Sequence, residues 1–313
     1  MQASKIEVPT PFSVGAVNTY VYPEHDLVVD PGPDTETAYE ALAEGLHEVG
    51  LPPEEIQHLV VTHPDIDHFG VAARLHEESG CDVLAHPDAL PTVGDFEARY
   101  LSERDYFSEY LVEMGMPSDE AEAVVDLPRV FVDLAPAVPE DALVAVEPGP
   151  GVGPLDEVEA VDTPGHSHGT YCYLDGEVML SGDHVLAEIT PNPVLRPPED
   201  GRRPHSLAEY LDSLERVLDY DVERALPGHG PAVDDVEARV RETVDHHLGR
   251  KERLYEMVVE RPRTAYELMH DVFEGLPSTE YFYGMSEIIG HMDLLVDEGR
   301  VALDGEPRRY VAD

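Results

Sequence analysis

The chain has 313 residues, with 20 Lys or Arg against 66 Asp or Glu, a formal net charge of -46 and a pI near 4.4. At 42% hydrophobic it has enough apolar side chain for a sizeable core, which excludes general disorder, and so acidic a balance excludes non-specific nucleic-acid binding at low salt. The acids are scattered through helix-like segments rather than gathered in a tail, the pattern of a salt-adapted (halophilic) surface, since at molar salt the Debye length shrinks to about 3 Å.

Residues 5 to 30 predict three strands, "KIEVP", "VNTYVYP" and "DLVVDPG". Residues 35 to 49 have helical apolar spacing with Thr35 as N-cap, and "HLVVTH" is a β-branched strand that runs into "PDIDHFG". "GVAARLHEESG" predicts a helix closed by Gly80, and "CDVLAHP" another strand. Strand and helix alternate, which is an α/β layout. Residues 95–127 break the rhythm as two helices around "GMPSD", with Ser118 as an N-cap candidate, and are expected to form an insertion over the site. "EPGPGVGP" reads as turns. Strands resume in "VEAVDTPGH", "TYCYLDG" and "EVMLSGDH", followed by a helix over 206–220 and the strand and turn of "VERALPGHG". From about 235 the character changes to a long helix, two shorter ones ("TAYELMHDVF", "SEIIGHMDLLVDEG") and a hairpin around Asp304 and Gly305. The expected organisation is a catalytic domain over 1–240, with the insertion inside it, and a small winged-helix domain over 241–313.

Cys81 and Cys172 form no CxxC motif, and a disulfide framework is not expected, which fits a reducing compartment. The N-terminus lacks a basic start followed by an apolar stretch, and no apolar run approaches the 18 or so residues of a membrane span, so a cytoplasmic protein without a membrane partner is expected.

Four stretches share one grammar: "THPDIDH", "TPGHSHG", "SGDH" and "PGHG" each place Gly, His or Asp at the end of a strand. A rigid sheet holds such loops so that their side chains meet at one point. Histidine and carboxylate ligands without thiolates suit Zn, Fe or Mn, and two such ions about 3.5–4 Å apart can clamp and acidify a water. A lone "PGHG" or "GDH" is commonly a turn; all four in this order point to a metal centre.

The set resembles the metallo-β-lactamase superfamily, whose first motif is His-x-His-x-Asp-His, followed by a lone His, an Asp and a last His. On that resemblance His63, Asp67 and His68 match three positions of the first motif, His166 the lone His, Asp183 the bridging Asp and His229 the last His. Metal one would take His63, position 65 and His166; metal two would take Asp67, His68 and His229; Asp183 would bridge them. Asp30 resembles the early Asp that supports the site from behind the ligands. The resemblance implies an αββα sandwich, two divalent metal ions with Zn the first expectation, and attack by a metal-bound hydroxide that Asp67 helps to orient. The helical insertion and "TAYEL … GHMDLL..EGRV" are similar to the subgroup with a C-terminal winged helix, which includes lactamase-like endoribonucleases and relatives of glyoxalase II.

The departure is Asp65, where most members have His. As a ligand it adds charge and hard oxygen ligation, tilting selectivity toward Fe or Mn; turned away, it leaves metal one weak. His184 and His168 read as supporting or surface residues, His246 and His247 as solvated helix residues, Tyr281 and Tyr283 as packing for the winged helix, and Arg202–Arg203 as ion-paired with nearby acids. The expected function is hydrolysis of an ester, thioester or phosphodiester, with a small-molecule ester or thioester or single-stranded RNA as substrate, no sequence-specific DNA binding, and a homodimer as one way to use the C-terminal part. The rivals are a di-iron redox enzyme acting on oxygen species, which Asp65 favours and the lack of a flavin domain opposes, and a non-catalytic winged-helix regulator.

Overall fold

The computed structural model describes residues 3–198 and 201–313. Six strands form the first sheet in chain order: β1 (Ser4–Val8), β2 (Val17–Tyr22), β3 (Leu27–Val29), β4 (His58–Val60), β5 (Asp82–Ala85) and β6 (Leu143–Ala145). The first three are antiparallel and the rest run parallel to β3, joined by crossovers. Both faces of β2 and β3 are buried, which is why they read as nearly continuous apolar runs. Val17, Val21 and Val28 face one way, toward α1 (Glu36–Val49), the short α2 (Ile66–Phe69) and α3 (Ala72–Ser79), where Leu42, Leu46, Phe69 and Leu75 complete an outer core. Tyr20, Tyr22, Leu27 and Val29 face the other way. Thr35 caps α1 by accepting from the Ala38 amide at 3.1 Å, and Gly80 closes α3 at φ 74°, both as the sequence predicts.

A short α4 (Leu90–Gly94) leads into the insertion, which contains α5 (Phe96–Glu113) and α6 (Ser118–Asp126). Ser118 is the first residue of α6 rather than its cap; Pro117 takes the cap position, and no side chain caps this end. The second sheet has the order β11-β10-β9-β8-β7, with β7 (Gly149–Val152), β8 (Leu155–Asp162), β9 (Tyr171–Asp175), β10 (Val178–Gly182) and β11 (Arg224–Pro227). The stretch expected to be only turns therefore supplies β7. It is an edge strand with an irregular register, a place where Pro150 removes no needed ladder bond. Leu155, Val158, Tyr171, Tyr173 and Leu180 meet the inner face of the first sheet. The outer face is covered by α7 (Ser206–Val217) and the start of α8 (Val236–Glu260), through Leu207, Tyr210, Leu214, Val236 and Val240. The layers run helix, sheet, sheet, helix.

Beyond α8 come α9 (Ala265–Val272), α10 (Tyr281–Asp297) and the hairpin of β12 (Val301–Asp304) and β13 (Arg309–Ala312). Thr264 and Glu267 form a reciprocal capping box at α9. These elements share one apolar cluster with the insertion: Phe107, Leu111, Met116 and Val125 pack with Leu254, Leu268, Met285, Ile288 and Met292. Helix α8 passes through position 240 without a break. No helix among the described residues is long and apolar enough to cross a membrane.

Basic residues are mostly spent in ion pairs with this acidic surface: Arg74 with Glu36, Arg224 with Asp234, Arg241 with Glu237. The remaining acids repel one another unless cations screen them. The melting temperature is expected to rise by about 10 °C between dilute buffer and molar KCl; equal melts in the two would show that the charge is not a salt adaptation.

Candidate metal centre

All the elements that carry the motif residues end at one edge of the sandwich. His63 follows β4, and Asp67 and His68 lie on the single turn of α2. His166 sits in the connection from β8 to β9, Asp183 directly follows β10, and His229 lies just past β11. The two sheets are stitched together at this edge: the Asn18 amide N–H donates to the Gly228 carbonyl at 2.6 Å, and the Asn18 side chain donates to the Pro227 and Gly230 carbonyls at 2.9 Å each.

The seven side chains meet there. Asp65 Oδ2 lies 3.6 Å from His63 Nε2 and 3.3 Å from His166 Nε2. Asp67 Oδ2 lies 3.3 Å from His229 Nε2. Asp183 faces both groups: its Oδ1 is 3.5 Å from His68 Nε2, and its Oδ2 is 3.6 Å from His229 Nε2 and 4.0 Å from His166 Nε2. Ligand-sized spacings bring together His63, Asp65 and His166; Asp67, His68 and His229; and His63, His68 and Asp183. Asp65 is turned into the site, beside the first of these groups.

Every histidine of the site is held by its other nitrogen. His63 Nδ1 meets Thr62 Oγ1 at 3.0 Å and His68 Nδ1 meets Asp30 Oδ2 at 3.0 Å, while His166 and His229 donate to the carbonyls of Asn192 and Ala16 at 2.9 and 2.8 Å. A carbonyl only accepts, so for His166 and His229 the proton of the neutral ring is on Nδ1 and the lone pair on Nε2. The Nε2 atoms of His63, His68, His166 and His229, and Asp183 Oδ1, are buried without a hydrogen-bond partner among the described residues. Five such atoms aimed at one spot would be costly in a purely structural cluster. They fit divalent metal ions, and the outward bonds are the support that metal-binding histidines ordinarily have.

Asp30 anchors that support. It adopts φ 51° after β3 and accepts from the Thr62 amide at 2.8 Å and the Thr62 hydroxyl at 2.7 Å, as well as from His68. The glycines of the motifs have a spatial reason. A Cβ on Gly228 would come within 2.5 Å of both Asp183 Oδ1 and His68 Cε1, and one on Gly182, itself at φ 47°, would strike Thr62. In the protein chain alone, burial opposes a proton on His68, but Asp183 and Asp30 outweigh it and push the ring up to about 10. His166 is likewise pushed up to about 9, mainly by Asp65 against the cost of burial. Burial works to raise Asp65, and the neighbouring His63 and His166 hold it well below the usual carboxylate range. The pocket is built for positive charge, and metal binding would displace protons from it.

The flanking residues divide. His184 is buried behind Asp183, its ring edge-on to Tyr210 with centroids 5.2 Å apart, and burial pushes it down to about 3. His168 bonds Arg196 at 2.7 Å. Arg203 pairs with Asp293 at 2.6 Å, in line with the expected ion pair, although the partner lies 90 residues away. His247 is fully buried, which corrects its expected place on a solvated face, whereas His246 is exposed. Tyr283, on α10, is 44% exposed and lies close enough to Asp65 and Asp67 for their charges to raise its phenol.

Residues 13–229 match the metallo-beta-lactamase superfamily. The chain is 31% identical over 299 residues to a probable metallo-hydrolase of Bacillus subtilis, covering 94% of this chain and 92% of that protein. It is 22% identical over 177 residues to an atrochrysone carboxyl ACP thioesterase of Emericella nidulans, covering 53% of this chain and 52% of that protein. A metallo-beta-lactamase family protein from Thermus thermophilus superposes with a TM-score of 0.82 at 25% identity, covering 99% of this chain and 98% of that one.

Proposed function

The chain belongs to the metallo-beta-lactamase superfamily and is a metallo-hydrolase of it, and from that premise we propose that it hydrolyses a small-molecule ester or thioester with two divalent metal ions. His63, Asp65 and His166 would hold one ion, Asp67, His68 and His229 the other, and Asp183 would face both. The observation that carries this reading is the set of four buried, partnerless Nε2 atoms converging with Asp183. When bound, the ions would supply Lewis acidity for the substrate oxygen and an activated water. The chain's own part is to fix that geometry. Thr62, Asp30 and the Asn192 and Ala16 carbonyls lock the rings, and the Asp67 carboxylate stands ready to orient the attacking water. Tyr283, on α10, lies within electrostatic reach of Asp65 and Asp67.

A small substrate is favoured over RNA by the state of the C-terminal arginines. Three helices and a hairpin make up a unit that we read as a winged helix. Its arginines are engaged in ion pairs, Arg300 with Glu252 and Arg309 with Glu267 within the unit and Arg308 with Glu113 of the insertion. Few cations are left for phosphates, on which nucleic-acid affinity depends. The thioesterase among the relatives supports the thioester class.

The test is a panel of thioester, ester, lactone and phosphodiester substrates assayed in high salt with metal-loaded protein. Thioester or ester turnover that chelator abolishes and added metal restores is expected. RNA cleavage dependent on His63 and Asp183, without turnover of any carboxylic ester, would replace this reading with a ribonuclease.

Asp65 sets a second expectation. Histidine there would remove a negative charge and add a nitrogen donor. Asp65→His is expected to raise the affinity for Zn relative to Mn by about tenfold, measured by competition against a chelating dye. An unchanged ratio would show that Asp65 does not bind metal.

A further inference from the structure

A second cluster of ligand-type side chains lies outside this centre, between α8 and α10. Glu287 and His291 are four residues apart on α10 and share one face of it, and His247 of α8 packs against them. His247 and His291 have no exposed surface and Glu287 is 3% exposed. His247 Nδ1 and His291 Nε2 are 3.2 Å apart, and Glu287 Oε1 is 3.9 Å from His247 Nδ1.

The hydrogen bonds define the lone pairs. His291 Nδ1 meets the Glu287 backbone carbonyl at 2.7 Å. A carbonyl cannot donate, so in the neutral ring Nδ1 carries the proton and Nε2 points a bare lone pair at His247. This is the outer support seen on the four histidines of the main site. His247 faces both His291 and Glu287 through Nδ1; its outward Nε2 has no hydrogen-bond partner among the described residues, so this ring lacks the outer support that His291 has. Glu287 Oε1 also accepts from Arg250, which leaves the second lone pair of that oxygen for a cation and holds the carboxylate in place.

We propose that His247, Glu287 and His291 form a third metal site, a buried structural one for a zinc-class divalent ion, which pins α10 to α8. Tetrahedral zinc with Zn–N bonds of about 2.0–2.1 Å separates two nitrogen ligands by about 3.3 Å, close to the spacing observed. The edge from His247 Nδ1 to Glu287 Oε1, at 3.9 Å, is longer by roughly half an ångström. Three ligands leave the fourth tetrahedral position to a water, and the burial of all three keeps substrate away. Metal here would fasten the helix that brings Tyr283 to the edge of the main site, so it would tie the C-terminal unit to the sandwich.

The probe is Zn(II) alone, with the full-length protein in high salt. Equilibrium dialysis and elemental analysis are expected to give three ions per chain, falling by one in His247→Gln and in His291→Gln. Crystals of the zinc-loaded wild-type protein should show an anomalous peak between these two histidines, a readout that does not depend on a variant folding. In His63→Ala/Asp183→Ala protein, which weakens the main centre, zinc is still expected to raise the melting temperature, and adding His247→Gln should remove that rise. Absence of the anomalous peak at full loading, or unchanged stoichiometry in both glutamine variants, would overturn the proposal and leave a neutral histidine pair joined by a hydrogen bond.

Discussion

Asp183→Ala is expected to lower kcat at least a thousandfold, about 4 kcal/mol in the barrier, and to cut metal occupancy. Asp183 is the carboxylate that faces both ligand groups, lying 3.5 Å from His68, 3.6 Å from His229 and 4.0 Å from His166. Its removal leaves the histidine nitrogens in place but takes away the charge between them, so cations held side by side would repel with less compensation. Asp30→Asn is the control. It touches His68 only at Nδ1, behind the ring, and loses charge while keeping a side chain of the same shape. A loss of about 10–100-fold is expected for it, the usual cost of a disturbed outer support. Turnover and metal content measured together in both variants decide the matter. Full turnover in Asp183→Ala would remove it from the centre, and equal losses in the two would mean that both act only through folding.

The gradation between these two residues reflects what the sequence could reveal. The centre was legible because its ligands lie within a few residues of apolar runs and beside small turn residues, and the reason for the glycines is steric: Gly228 leaves room for Asp183 and His68. Asp65 was legible as a departure, but only its position between His63 and His166 shows which way it turns. The cluster on α8 was missed although its signal was present. Val240, Thr243, His247, Lys251, Leu254 and Val258 recur at spacings of three and four and are all buried, so the period places His247 on the inner face. Three polar residues in that stripe, Thr243, His247 and Lys251, obscure it, and His247 taken by itself reads as solvated. Tyr283 was invisible for a different reason. Its proximity to the site depends on how α10 docks across more than a hundred residues of intervening chain, which no local pattern encodes. The same holds for β7, where Gly and Pro spell a turn and pairing with β8 makes an edge strand.

Arg203→Ala is expected to destabilise the protein by about 3–5 kcal/mol, the usual cost of removing one partner of a buried ion pair. The Arg203 guanidinium is a hub between three parts of the chain. It donates to both oxygens of Asp293 on α10, at 2.6 and 2.7 Å, and its guanidinium lies 5.3 Å from the ring centre of Tyr110 on α5. Both members of the pair are largely buried, with side chains 14% and 6% exposed, so Asp293 would be left uncompensated in a desolvated position. Burial already raises Asp293 against the pull of Arg203, which shows how little water reaches it. The pair sits beside the apolar cluster in which Phe107 and Leu111 of the insertion pack with Met285, Ile288 and Met292 of α10. Loosening it should therefore release α10 and the insertion together, and Tyr283 with them. Urea unfolding followed by tyrosine fluorescence and by far-UV circular dichroism should show a lower midpoint in Arg203→Ala, with Arg203→Ala/Asp293→Ala recovering part of the loss because no unpaired charge remains. Deleting residues 241–313 removes the partner face of the whole cluster and should yield aggregated protein. A soluble, monomeric fragment of residues 1–240 with full turnover would show that the C-terminal helices contribute neither to folding nor to the site they border.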